Sequence, residues 1–592
     1  MKRHGILSIA GIERTEEVMR VALGEEKADL AIINGRMLNV YTGEWLRDYA
    51  VTIKGEWIAY VGEDPSDSIG SHTQVIDAKG KSIIPGLIDG HTHLVWLFTA
   101  SEFLRYAMVG GTTTIITETL ETFPVVGYEG LVDFMDSLSK QPIKMYGSAP
   151  PMVSISKEAR GIPQETLSKL LSRDDVIGLG ESYWQGVIQE PERFLPIFEK
   201  ALHGGKRLEG HSAGAKGRKL MAYLVPGISS CHEPITAEEV LERLRLGIHV
   251  MVREGSIRSD LPAISAIKDA GVDLRRLILV TDGIEPTDLL KKGYMDHVVQ
   301  KAIDCGFDPV QAIQMATINV AEYFCLDSII GGIAPGKYAD MVIIPEPKTI
   351  KAEYVISSGK IIAREGDLLV SPRKHSYSSN SLNSIHLSKE LEPADFAIIV
   401  SKDASHVDVR VIDQVTELVT KELVMSVPVV DGEIKSDVGK DILKVAAIDR
   451  RYVPGKTFVG LIRGFGLKTG AIASSSAWDT SDIIVVGEND ADMAGAVNRI
   501  YALQGGGVVF AKGEILADIP MPIFGIISEM PMPMIVQRME EIKGTMQALG
   551  FPFDDPLLTL CTLTTPAIPY LRICEEGLVN LKDGKTLGLM VD

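Results

Sequence analysis

Short apolar runs broken by glycine turns open the chain. "ADLAIINGRML", "DYAVTIKGEWIAYVG" and "TQVIDAKGKSIIPG" alternate apolar and polar positions, the period that lays one face of a strand on a core. They predict a small β domain, led by an amphipathic helix over residues 12–27, "IERTEEVMRVALGEEK". From about Pro85 the texture changes. "TTTIIT", "IKMYGSA", "VIGLGES", "RLEGHSAG", "ISSCHE", "HVMVREGS" and "LILVTDG" are strand-like, with helical stretches between them. About 250 residues of alternating strand and helix fit a (β/α)8 barrel. A doubly wound sheet is the runner-up, but it normally carries a Gly-rich phosphate turn after its first strand, and none is seen.

At "GGIAPGKYADMVII" the β texture returns and continues through "AEYVISSGKII", which predicts a strand pair completing the first sheet. "SPRKHSYSSNSLNS" is rich in Ser and Asn and reads as a linker or exposed loop. Beyond it, "DFAIIV", "KVAAID", "FVGLIRGFG", "GAIASSS" and "DIIVVG" predict strands, with helices near 490–504 and 531–549. The expected fold is α/β: a (β/α)8 TIM-like barrel, a small flanking β-sandwich-like domain and an additional α+β C-terminal domain. The boundaries are 1–84 for the β domain with its leading helix, 85–334 for the barrel, 335–370 for the return to the β domain, 371–387 for the linker and 388–592 for the last domain.

Composition narrows the partners. A net charge of -19 argues against nucleic acid or an anionic membrane, since both need a basic surface. The five cysteines form no CxxC pair, so a reducing cytoplasm is expected rather than a disulfide framework. "MKRHGILSIAG" has a basic end and a short apolar run, but "IERTEEVMR" follows at once, and a signal peptide is rejected. No apolar run approaches the ~18 residues of a spanning helix.

The polar residues at the strand ends carry the chemistry. "IIPGLIDGHTHL" places His91 and His93 two residues apart, on one face of a strand. Glu181 ends "VIGLGES", His211 ends "RLEGHS", His232 ends "ISSCHE" and Asp282 ends "LILVTDG". A barrel builds its active site at the C-terminal ends of its strands. Each residue alone has a plain structural reading: a hydrogen-bonded histidine, a helix cap at Glu181, an Asp-Gly turn at Asp282. Six in order, each closing a β-like run, read as ligands for two divalent cations. Imidazole and carboxylate suit Zn, Mn or Fe, and no thiolate is present to favour a soft metal. Asp89 reads as part of the turn or a group behind the ligands.

The order HxH, strand-four carboxylate, His, His and Asp resembles the amidohydrolase superfamily, as do "PGLIDGHTHL" and "GGIAPGKYADMVII". Glu181 stands where hydantoinases and dihydroorotases use a carboxylated lysine. With "HSAGAKGRKLMAYLVPGISSCHE", "REGS", "TDG", "GLKTGAIASSSAWDTSDIIVVG" and "GGGVVFAKGEILADIPMPIFGIIS", the chain is similar to the adenine deaminase family over nearly its whole length. Four stretches depart from that family's pattern. Leu94, Val95, Trp96 and Leu97 follow the HxH where a hydrophobic residue and Glu-Ser-Ser are usual. "TETLETF" replaces Asp-Pro-His-Glu. Trp478, Asp479, Thr480, Ser481 and Asp482 replace His-Asp-Ser-His-Asn, and Thr281, Asp282 and Gly283 replace Thr-Asp-Asp.

The resemblance implies a cytoplasmic, homo-oligomeric enzyme of purine salvage that converts adenine and water to hypoxanthine and ammonia. It implies Mn2+ or Fe2+ in a binuclear site, with Zn2+ also suitable. His91, His93 and Asp282 would bind one ion, His211 and His232 the other, and Glu181 would bridge. Asp282 would shuttle the water proton to the leaving amine. Glu233 would protonate a ring nitrogen or orient a histidine, with Glu254 a weaker candidate of the same kind. Trp96, Tyr183 and Trp184 are candidates for the apolar face of a small-molecule site for a purine base or similar heterocycle. The alternatives are an amidohydrolase acting on another aminated heterocycle or a cyclic amide, and a non-catalytic metal-binding barrel.

Overall fold

Eight parallel strands follow one another around the centre of the molecule. Leu87–His93, Thr112–Glu118, Lys144–Ala149, Val176–Tyr183 and Arg207–His211 form a five-stranded sheet. Ser230–Cys231, His249–Arg253 and Leu277–Val280 form a three-stranded one. Single backbone bonds join the two sheets at both seams: Ser229 N–H donates to Leu208 O at 3.0 Å, and Asp282 N–H to His91 O at 3.0 Å. The strands are β-branched and enclosed, as "TTTIITE" over Thr112–Glu118 shows with every residue buried. Helices such as Phe123–Leu138, Pro191–His203 and Met295–Asp304 connect them and cover the outside. The computed structural model describes residues 5–151, 154–157, 161–568 and 570–591.

The flanking domain is one nine-stranded sheet drawn from both sides of the barrel segment. Ser82–Pro85 pairs antiparallel with Met341–Ile344, so the returning strands extend the sheet that the first ones begin. The leading helix spans Ile6–Ala22 rather than 12–27. It starts early because the apolar run from Ile6 is itself helical, with a bend at Gly11 (φ 79°), and it stops early at Gly24 (φ 76°).

The C-terminal domain is built on an eight-stranded sheet with helices at Asp490–Leu503, Met532–Ala548 and Pro556–Thr562. "DFAIIV" does not make a full strand: Pro393–Phe396 forms a tight helical turn, and only Ile398–Ile399 pairs. Residues 371–387 have little regular structure but are not loose. Arg373 donates to Ser139 O at 2.9 Å, and His375 Nε2 meets Asp133 Oδ1 at 2.7 Å, both on or just beyond the helix Phe123–Leu138.

Domain docking depends on the residues after the HxH. Leu94 to Leu97 are buried, and Leu97–Phe98 pairs in parallel with Ile527–Ser528 of the C-terminal domain. Trp96 meets Trp478 edge-on, ring centroids 5.9 Å apart. Behind this contact Arg450, almost fully buried, donates to Phe524 O at 2.9 Å, Ser475 O at 3.0 Å and Ser384 Oγ at 3.1 Å. One guanidinium therefore ties the linker's end, a strand end and the docking loop together. Arg450→Met leaves those acceptors buried without donors, an expected loss of about 3 kcal/mol. The check is thermal unfolding, where a fall in Tm of roughly 5–10 °C is expected; an unchanged Tm would show that the guanidinium is dispensable.

Candidate metal centre and active site

His91 and His93 lie on the last turn of pleat of Leu87–His93 and approach the same two carboxylates. His91 Nε2 is 3.3 Å from Glu181 Oε1 and 3.1 Å from Asp282 Oδ1. His93 Nε2 is 3.5 Å and 3.6 Å from the same two atoms. On the far side of Glu181, His232 Nε2 lies 3.1 Å from Oε1 and His211 Nδ1 lies 3.6 Å from Oε2. Two ligand sets result, His91–His93–Glu181–Asp282 and Glu181–His211–His232, with one candidate ligand atom per residue and those atoms within 4.8 Å of each other in each set.

This donor set fits a pair of cations. Three imidazole nitrogens face the single oxygen Glu181 Oε1, more than one oxygen can satisfy in ordinary hydrogen bonds. Both ring nitrogens of His211 are buried without a hydrogen-bond partner, an arrangement that costs free energy unless a ligand is met.

Groups behind the ligands aim them. His93 Nδ1–H donates to Glu121 Oε1 at 2.6 Å, which leaves Nε2 free to ligate. His91 Nδ1 faces Glu118 at 3.7 Å and Glu209 at 3.9 Å. His211 is placed by its backbone N–H, which donates to Tyr223 Oη at 2.9 Å. Asp89 accepts from His91 N–H (3.1 Å), Thr281 Oγ1 (2.6 Å) and Tyr294 Oη (2.6 Å), and so clips the first strand to the last beneath the site. Burial still pushes its carboxyl up to about 6. Asp282 itself sits at φ 55°, a left-handed position that Asp tolerates better than most residues.

The charges are strongly coupled. Burial would raise the Asp282 carboxyl, but His232, His91, His93 and Arg253 together hold it well below the usual carboxylate range. Burial would likewise raise Glu233, yet His211 and Arg253 hold it far down. Arg253 Nη1 donates to Glu233 Oε1 at 2.5 Å and to Asp282 Oδ2 at 3.3 Å. Glu118 moves the other way, raised well above its ordinary value by burial and by Glu209.

A cavity of about 440 Å³ opens over this cluster, within the ~300–1,000 Å³ of small-molecule sites. Trp96, Tyr183, Glu233 and all the proposed ligands except His91 line it. His91 lies deeper, stacked on His232 with centroids 4.3 Å apart. Trp184 and Glu254 stand outside. Trp184 donates its Nε1–H to Ala213 O at 2.8 Å and packs as part of the helical layer. Glu254 accepts from Ser259 Oγ at 2.7 Å, while its neighbour Arg253 turns into the cavity, as alternation along a strand requires.

Glu118, Glu121, Glu209, Arg253 and Asp479 were not among the expected site residues. Glu118 and Arg253 obey the rule that picked out the candidate ligands, since they close Thr112–Glu118 and His249–Arg253, whereas Glu209 lies in the middle of Arg207–His211 and Glu121 in the turn Leu120–Thr122. Asp479 has no such signal, because it comes from the C-terminal domain with Trp478, Leu418, Val419, Thr565 and Ile568 to roof the cavity.

Residues 82–362 match the amidohydrolase family, and residues 417–585 match the adenine deaminase C-terminal domain. The chain is 36% identical over 587 residues to an adenine deaminase of Moorella thermoacetica, covering 98% of both chains. It is 34% identical to an adenine deaminase of Cenarchaeum symbiosum, over 95% of this chain and 93% of that one. Among solved structures, a beta-aspartyl dipeptidase of Fervidobacterium islandicum aligns with TM-score 0.46 at 18% identity, over 57% of this chain and 98% of that one.

Carboxylates raise His91 and His93 well above the ordinary imidazole value against the opposing effect of burial. Both must be neutral to ligate, so Mn2+ binding to the metal-free protein is expected to release protons at pH 7 and to weaken steadily as pH falls. Titration calorimetry in buffers of different ionisation enthalpy measures this directly. Equal affinity from pH 8 to about 5.5 would contradict it.

Proposed function

Because the chain belongs to the adenine deaminase family of amidohydrolases, we propose that it hydrolyses adenine to hypoxanthine and ammonia with two divalent cations. The observation that carries this reading is the pair of candidate ligand sets joined at Glu181 on the floor of the cavity. His91, His93 and Asp282 would hold one ion, His211 and His232 the other, with Glu181 shared. The nitrogen and oxygen ligands suit Mn2+ or Fe2+, and Zn2+ also matches them. Such a pair supplies positive charge that makes water a nucleophile near neutral pH.

The chain's own groups then divide the work. Water adds to C6 of the base and the C6–N bond to the amino group breaks; one water proton leaves with the amine as ammonia, and the other ends on ring N1 as the C6=O of hypoxanthine forms. Asp282 lines the cavity beside His91 and His93, so its carboxylate is placed to accept the water proton and return it to the departing amine. Arg253 bridges Asp282 and Glu233 and fixes the direction of both carboxylates. Glu233, bonded by Arg253, lies 3.6 Å from His211 and 3.3 Å from His232, which suits it to orienting those two rings. Tyr183 and Trp96 offer apolar wall to the flat ring.

Ammonia release from adenine by the Mn2+-loaded protein tests the reaction, and chelation should abolish it. Asp282→Asn is expected to cut kcat by about 10²–10⁴-fold, with metal content measured alongside to separate proton transfer from ligand loss. An unimpaired Asp282→Asn would refute the assigned role. Turnover of another aminated heterocycle but not adenine would replace the substrate and keep the chemistry.

A further inference from the structure

We propose that Asp479, supplied by the C-terminal domain, is a substrate-positioning residue whose free carboxyl oxygen accepts the ring N–H of an unsubstituted purine base. Asp479 is 2% exposed and lines the same cavity as His93 and Asp282. Its Oδ2 accepts from Thr565 Oγ1 at 2.6 Å, whereas Oδ1 is buried without a partner. The residue is locked from both sides of its backbone. Its φ is 64°, its carbonyl accepts from Ser154 Oγ at 2.5 Å, and the carbonyl of Trp478 accepts from Thr564 Oγ1 at 2.6 Å. Left-handed backbone outside glycine costs roughly 1–3 kcal/mol and persists where the surroundings over-determine it.

The acceptor is therefore rigid and half-used, on a residue that lines a cavity roofed by Leu418, Val419 and Ile568 and floored by His93, Glu121 and Glu181. A buried acceptor without a partner calls for a donor. Arg253, the cation nearest the metal ligands, is already bonded to Glu233, Asp282 and Asp260. A purine base brings the missing donor, because its five-membered ring carries one N–H. A base substituted at that nitrogen has none. Asp479 would thus select the free base over its N9-substituted derivatives, nucleosides included.

The identity of the base rests on the adenine reading, but the selection can be tested without turnover. Purine lacks the leaving amine, and 9-methylpurine lacks the N–H as well. Calorimetry on the Mn2+-loaded protein should show purine binding at least about tenfold tighter than 9-methylpurine. Asp479→Ala should bring the two affinities together, and Asp479→Asn, which keeps a carbonyl acceptor, should retain part of the preference. Thr565→Val, a milder change that only unlocks the carboxyl, should raise KM for adenine and spare kcat, and it decides the matter if the Ala variant does not fold. A wild-type purine preference that survives in Asp479→Ala, or equal loss of both ligands, overturns the proposal; so does an unchanged KM in Thr565→Val. Wild-type protein that binds purine selectively but releases no ammonia from adenine sinks the deaminase reading and leaves this one standing.

Discussion

Six carboxylates and four imidazoles crowd the barrel mouth around the guanidinium of Arg253, and the whole site follows from balancing those charges. Glu118, Glu121, Glu181, Glu209, Glu233 and Asp282 are largely buried, and Arg253 bonds directly to the last two. Burial and the neighbouring Glu209 push the Glu118 carboxyl up. Such a cluster calls for cations, and the histidines are spaced to hold them. Asp89 makes the arrangement mechanically stable by clipping the first strand to the last. A barrel seam and a charge cluster are thereby secured by one residue.

The C-terminal domain completes this site rather than adorning it. Its contact follows His93 closely: Trp96 meets Trp478, and Leu97 N–H donates to Ile526 O at 3.1 Å. The apolar stretch Leu94 to Leu97 is thus an interface, buried against the C-terminal domain. In "TETLETF", Glu118 and Glu121 both reach the ligand histidines. In "WDTSD", Asp479 reaches the cavity. Trp96, Glu121 and Asp479, one from each of these stretches, all line the cavity.

How much could be read from the chain follows from sequence distance. Strand-end ligands obey a single local rule, a polar residue closing an apolar run, and His91, His93, Glu181, His211, His232 and Asp282 stand out by it. The helices at Asp490–Leu503 and Met532–Ala548 fall within one residue of the expected bounds, since each has a clear stop. The leading helix was misplaced because an apolar N-terminal run hides helical periodicity. Trp184 and Glu254 fall outside the cavity because each lies one residue past a strand end, Trp184 opening the helix Trp184–Gln189 and Glu254 following Arg253. Asp479 lies about 200 residues from Asp282 in sequence, and nothing short of the folded interface pairs them.

Gly178 and Gly180 in the strand Val176–Tyr183 set a limit of a different kind. A Cβ at Gly180 would lie 2.1 Å from Glu118 Oε2, and one at Gly178 would lie 2.2 Å from Glu209 Oε1. The missing side chains are the room in which the two carboxylates live. A side chain at either glycine requires its carboxylate to move, and removing the carboxylate instead leaves a hole beside the strand. Each glycine and its glutamate therefore share one volume, and a change at one is felt at the other.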